Sequence, residues 1–171
     1  MDFHVDVDKL SNSKLYWLND VNNLVAGLTQ FYGKIRLDKI SQQILNTSSF
    51  EKDLLKVDSA LVRQITLSKD NLTIVFARTI IPKSTYDFFT QELDNLGDKP
   101  IGNALLYKKK FNRSQFIIRE LPTHVFKNET GLISNQNIYS RSSIFSYIPS
   151  KHLKILITEY FLFLPELTNV K

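Results

Sequence analysis

Residues 154–165 read KILITEYFLFLP, an apolar run whose only charge after Lys154 is Glu159. A stretch so rich in Ile, Leu and Phe, stopped by Pro165, is expected to be a central strand covered on both faces. A carboxylate in such a strand is costly unless it is paired, hydrogen-bonded or neutralised. Glu159 therefore needs either a buried arginine or a chemical task. A central strand also needs neighbours, and the rest of the chain is read for them.

Residues 1–12 read as a loosely held lead-in. Ser13 is placed to cap a short turn over Leu15–Leu18, and Asp20 to cap a helix from Val21 to Tyr32 that Gly33 stops. Segment 34–46 fits a strand or a helix and is taken as a strand. Residues 47–56 form a polar turn with at most one helical loop. Ser59–Leu67 and Leu72–Ile81 then read as an antiparallel hairpin joined by the polar link 68–71. Pro82 ends the second strand, Ser84 opens a helix running to Leu96, and a shorter helix covers Ile101–Leu106. Strands are expected over Ser114–Arg119, Ile138–Tyr147 and Leu153–Leu164, with His124–Leu132 irregular. Hairpins with intervening helices imply α+β: a single antiparallel sheet of about six strands covered by helices, in one domain spanning 1–171.

Composition excludes several chemistries. With no cysteine, disulfides, thiolate metal sites and cysteine nucleophiles are ruled out. The start MDFHVDVDKL resembles neither a signal peptide nor a transit peptide, and no apolar run is long enough to span a bilayer, so a soluble intracellular protein is expected. Abundant Asn, Lys, Ile, Phe and Tyr suit an AT-biased genome such as a plastid's. The net charge of +5 is spread along the chain, apart from Lys108-Lys109-Lys110 with Phe111 and Arg113. That cluster is either a solvated surface or a device steering an anionic ligand, and nucleic-acid binding is not expected. His4, His124 and His152 are isolated and lack metal-ligand spacing. No GxSxG, P-loop or GxGxxG motif occurs.

Strand parity sharpens the question of Glu159. One set holds Leu61, Arg63, Ile65 and Leu67, a second Ile74, Phe76, Arg78 and Ile80, and a third Ile155, Ile157, Glu159 and Phe161, with Tyr139, Arg141 and Phe145 in phase on a fourth strand. If all four sets share one side of the sheet, two or three arginines converge on one glutamate. That is either a buried ion pair or, with arginine in excess, a closed pocket for a small carboxylate, which the planar guanidinium grips with two parallel hydrogen bonds.

The strand segments also resemble a known family. Phe76-Ala77-Arg78-Thr79-Ile80-Ile81-Pro82 is similar to the GRTVVP segment of chorismate pyruvate-lyases. Val62-Arg63-Gln64-Ile65, Leu96-Gly97-Asp98-Lys99-Pro100-Ile101-Gly102, Tyr139-Ser140-Arg141-Ser142-Ser143 and Thr158-Glu159-Tyr160-Phe161-Leu162 resemble further family segments, in the same order. The cyanobacterial and algal-plastid branch looks nearest, which would place the protein in a plastid stroma or a cyanobacterial cytoplasm.

The resemblance implies conversion of chorismate to 4-hydroxybenzoate and pyruvate for quinone biosynthesis, without cofactor or metal, by a monomer enclosing its ligand. It puts the product-carboxylate arginine at Arg63 and the glutamate that meets the ring hydroxyl at Glu159. A backbone contact falls at Ile101-Gly102 and an apolar flap contact near Leu24. Arg78 and Arg141 fall on motif positions suited to the enolpyruvyl end of the substrate. Two positions depart from the pattern: Ser142 stands where the family has a second arginine, and Tyr139 where it has tryptophan. The rival expectation is a non-enzymatic module binding a 4-hydroxybenzoate-like carboxylate, since regulator effector domains are similar in fold to this family.

Overall fold

The computed structural model of the chain describes residues 2–167. The strands are β1 (Arg36–Asn46), β2 (Ser59–Lys69), β3 (Leu72–Ile81), β4 (Phe111–Arg113), β5 (Ile117–Leu121), β6 (Ile138–Tyr147) and β7 (Lys154–Phe161). They form one sheet in the order β1-β2-β3-β7-β6-β4, with β5 also on β6, and every pairing is antiparallel. This is the expected α+β class with one more strand than counted from sequence. The extra one, β4, is three residues long and too short to show alternation. β7 is central, between β3 and β6, and buries Ile155, Leu156, Thr158, Tyr160 and Phe161.

Side chains from both faces of the sheet enter the core. On one face, Leu67, Val75 and Phe161 pack with Trp17, Leu18 and Leu28, while Ile81, Phe145 and Ile155 pack with Phe89, Leu93 and Leu105. On the other, Phe76 and Tyr160 meet Phe126, and Val62, Ile80 and Leu156 form a further cluster. The covering helices are α1 (Asn12–Leu15), α2 (Leu24–Tyr32), α3 (Ser49–Leu55), α4 (Lys83–Phe88), α5 (Thr90–Asp94) and α6 (Thr123–Thr130), with π-helical turns at Tyr16–Asp20 and Gly102–Leu106.

Local chemistry moved several boundaries. α2 begins at Leu24 because Asn23 Oδ1 accepts from Ala26 N at 3.1 Å, so Asp20 is not its cap. Ser11, not Ser13, caps α1. The helix expected over 84–96 breaks at Phe89, which leaves helical geometry (φ −113°, ψ 27°). The segment taken as irregular is α6, set between Pro122 and the left-handed Gly131 and burying Phe126 and Glu129. The hairpin link shrinks to Asp70-Asn71, with Asp70 at φ 51°. The lead-in is not loose: Val5 N donates to Ile118 O at 2.9 Å and Glu120 N to Phe3 O at 3.0 Å, so residues 3–5 run beside β5.

Candidate functional site

Register decides which side chains share a face, because directly opposed residues of antiparallel strands point the same way. Arg63 lies opposite Thr79 and Ile65 opposite Ala77. Ala77 in turn faces Glu159, and Thr79 faces Ile157. Glu159 then faces Arg141, and Ile157 faces Ser143. The small side chains of Ala77, Thr79 and Ser143 leave room above the middle of this face. A cavity opens there, of about 660 Å³ of atom-free space with its open mouth included. Apolar walls come from Ile65, Leu67, Phe145 and Ile157, and the cover from residues 22–25 at the start of α2 and from 100–107.

Two charged residues line this cavity among the described residues, Glu159 and Arg113. The Glu159 side chain is 19% exposed; its Oε2 accepts from Arg141 Nε, and no described residue donates to its Oε1. Arg141 is 1% exposed, and its Nη1 donates to the carbonyls of Trp17, at 3.1 Å, and Val21. Its guanidinium lies 4.1 Å from the ring centre of Phe116. Arg141 thus ties the 16–21 turn to the sheet while it aims Glu159. The buried partner expected for Glu159 exists, but it is Arg141, its cross-strand neighbour, and not Arg63 or Arg78.

Arg63 sits on the same face but behind the cavity wall. Its Nη1 donates to Gly97 O at 2.9 Å and Gln42 Oε1 at 3.2 Å, and its Nη2 to Lys99 O at 3.0 Å. It is buried, and that burial, opposed by the charge of Asp98, holds its guanidinium below the usual arginine pKa. No carboxylate pairs with it among the described residues, so its charge is uncompensated by contact. Its carbonyl acceptors fix the turn just before Pro100, Ile101 and Gly102, which cover the cavity. Leu24, Ile101 and Gly102 all line it, where the resemblance put them. A Cβ at Gly102 would come within 2.6 Å of the exposed Tyr107 ring, which would have to turn aside.

Arg78 does not join the site. It lies opposite Gln64 and Thr158, on the other face of the sheet. There its Nε and Nη2 donate to the two carboxylate oxygens of Glu51 at 2.7 and 3.0 Å. Burial alone would lower the Arg78 pKa, but the hydrogen bonds and charge of Glu51 outweigh it and the net shift is upward. Arg119 and Glu129 form a second buried pair at 2.8 Å on that side, joined by Tyr160 Oη donating to Glu129 at 3.2 Å. Ser142 also faces this side, its hydroxyl 2.7 Å from that of Thr158. Tyr139 remains on the cavity face, half-buried, with Lys14 Nζ 4.8 Å above its ring.

Sequence reasoning missed Arg113, Tyr107, Phe116 and Asn22 as site residues. The sequence groups Arg113 with the preceding lysines, as a solvated surface or a device steering an anionic ligand, without marking it as a cavity residue. Its membership in β4, opposite Phe145, turns it toward the cavity. Its Nη1 and Nη2 donate to Asn22 O and Asn22 Oδ1 at 2.6 and 2.9 Å, latching the cover to the sheet edge.

The family model described as chorismate lyase matches residues 4–170. A protein of Psychromonas ingrahamii named "Probable chorismate pyruvate-lyase" is 30% identical over 161 residues, covering 89% of this chain and 83% of that one. Among solved structures, PhnF from Mycobacterium smegmatis superimposes with a TM-score of 0.58 at 10% identity, over 88% of this chain and 70% of that one. The C-terminal domain of the histidine utilization repressor from Pseudomonas syringae pv. tomato does so with a TM-score of 0.55 at 6% identity, over 81% and 99%. At such identities the two structures speak for the fold alone.

Proposed function

Because the chain belongs to the chorismate lyase family, we propose that it eliminates pyruvate from chorismate to give 4-hydroxybenzoate, a quinone precursor, acting as a monomer without cofactor. The observation that carries this reading is an apolar-walled cavity whose one carboxylate among the described residues, Glu159, is held by a buried arginine, with no described residue donating to its second oxygen. In the reaction the ring C4–H leaves as a proton and its electron pair enters the ring. The C3–O ether bond breaks, and the departing enolpyruvate takes up a proton to become pyruvate. Aromatisation supplies the driving force, so the protein has chiefly to orient the substrate and exclude water.

Glu159 Oε1 accepts the hydrogen bond of the C4 hydroxyl, and the same carboxylate is the group placed to receive the C4 proton. The ring carboxylate points to the opposite end, toward Thr79 and the 100–102 segment. There the buried positive charge of Arg63 attracts it, and the backbone that Arg63 fixes defines its seat. The product keeps both the ring carboxylate and the hydroxyl, so its release from under the 22–25 and 100–107 cover limits turnover. Among the described residues no helix is long and apolar enough to cross a membrane. The Asn-, Lys- and Ile-rich composition supports a plastid or cyanobacterial source, whereas the relative named above is from another kind of bacterium.

The test is to incubate purified protein with chorismate and follow 4-hydroxybenzoate and pyruvate together. Equimolar appearance of both is expected. A folded protein that binds 4-hydroxybenzoate tightly but releases no pyruvate would sink the enzyme reading and favour a ligand-binding module.

A further inference from the structure

The lyase reading leaves one substrate group without a partner. Chorismate carries a second carboxylate, on the enolpyruvyl side chain at C3, next to the hydroxyl-bearing C4. With the hydroxyl on Glu159, this carboxylate must lie at the Glu159 end of the cavity. Neither arginine expected at the enolpyruvyl end is free to meet it there. Arg78 is on the opposite face, bound to Glu51, and Arg141 is spent on Glu159 and two carbonyls.

We propose that Arg113 receives the enolpyruvyl carboxylate and so distinguishes substrate from product. Arg113 is the one guanidinium lining the cavity among the described residues. Its guanidinium lies 4.7 Å from the ring centre of Phe116 and 5.8 Å from that of Phe145, and the same Phe116 ring lies 4.1 Å from the guanidinium of Arg141, which holds Glu159. Around that ring two guanidiniums meet one carboxylate, leaving one positive charge over. The Arg141 charge is matched by Glu159; the protein partners of Arg113 are neutral oxygens of a single residue, Asn22. Those two bonds use two of its five N–H groups, and the remainder suffice for a carboxylate fork. Holding Asn22 at the same time, Arg113 couples arrival of the dianionic substrate to closure of the 22–25 cover. Loss of pyruvate removes the carboxylate, so the product retains no bond to Arg113.

This inference rests on the lyase reading and is tested apart from it by comparing two ligands. Affinities for chorismate and 4-hydroxybenzoate are measured calorimetrically in the Glu159→Gln background, where turnover is expected to be slowed by about 10²-fold or more. Adding Arg113→Gln is expected to weaken chorismate by about 10- to 100-fold, the loss of a charge-assisted fork, and 4-hydroxybenzoate by no more than about twofold. Arg113→Lys should recover part of the chorismate affinity. Asn22→Ala, which removes one latch bond but keeps the cation, should preserve the preference between the ligands. Equal weakening of both ligands by Arg113→Gln would make Arg113 a latch only, and unchanged chorismate binding would remove it from the site; either result overturns the proposal. Failure of the wild type to release pyruvate overturns the lyase reading instead, and leaves the two-ligand comparison legible.

Discussion

Glu159 and Arg141 form one device with separable halves. Replacing Glu159 by Gln keeps the volume and a hydrogen-bond acceptor but removes the charge proposed to anchor the hydroxyl and take the proton. Turnover is expected to fall by about 10²-fold or more, with the near-ultraviolet circular dichroism of a folded protein. Arg141→Gln should act on both turnover and stability, since it strips Glu159 of its partner and frees two carbonyls at 17 and 21. Arg63→Ala is a different experiment. It releases the carbonyls of Gly97 and Lys99 and withdraws the positive charge behind the cavity wall. Steady-state kinetics should show a raised KM with a lowered kcat, and weakened binding of 4-hydroxybenzoate and chorismate alike, in contrast to Arg113→Gln.

At the scale of elements, the two faces of β3 have different work. Thr79 and Ala77 floor the cavity, while Arg78 between them pins α3 to the back of the sheet. Glu51 serves α3 twice there: it closes the capping box with Ser48, and it accepts two of the three hydrogen bonds from Arg78, the third going to Gln64 Oε1. Glu51→Ala leaves a buried guanidinium unpaired and should cost about 3–5 kcal/mol of stability, read by urea unfolding, with kcat of the folded protein little changed. A large loss of kcat at full stability would show that this face takes part in the reaction. The cover makes the opposite demand. In Gly102→Ala the new methyl meets the exposed Tyr107 ring, which must turn aside, so stability should barely move while KM rises, because that ring lines the cavity.

Across the whole molecule, buried polar groups lie on both faces of the sheet, and one on the face away from the cavity bears on stability at alkaline pH. Tyr160 is fully buried, and desolvation, aided by the charge of Glu129, pushes its phenol well above the ordinary 10.0. The folded state therefore holds this proton more tightly than the unfolded chain. Its contribution to stability is complete below about pH 10, the unfolded phenol's pKa, and is lost as the pH rises from there toward the folded value. Urea midpoints should fall steeply above pH 10 in the wild type and less steeply in Tyr160→Phe; parallel slopes would rule out this phenol as the cause.

Much of the molecule is legible in the chain itself. The β2–β3 hairpin, β6 and the central β7 follow from period-two apolar runs bounded by Pro82, by polar links and by Pro165, because such runs gain most as paired, half- or fully buried strands. Glu159 stands out for the same reason, as the one carboxylate in an otherwise apolar run. Leu24, Ile101 and Gly102 were placed at the ligand by resemblance, and the cavity is lined by all three. Only the tertiary structure decided which charges meet. Within β3, residues 74–81 are buried on both faces, so alternation carries no label saying which side is which. Cross-strand register supplies that label, setting Arg78 beside Gln64 and Thr158 and Arg141 beside Glu159. Arg113 was hidden for a related reason: a three-residue strand has no period of its own, and its direction comes from the partner it pairs with.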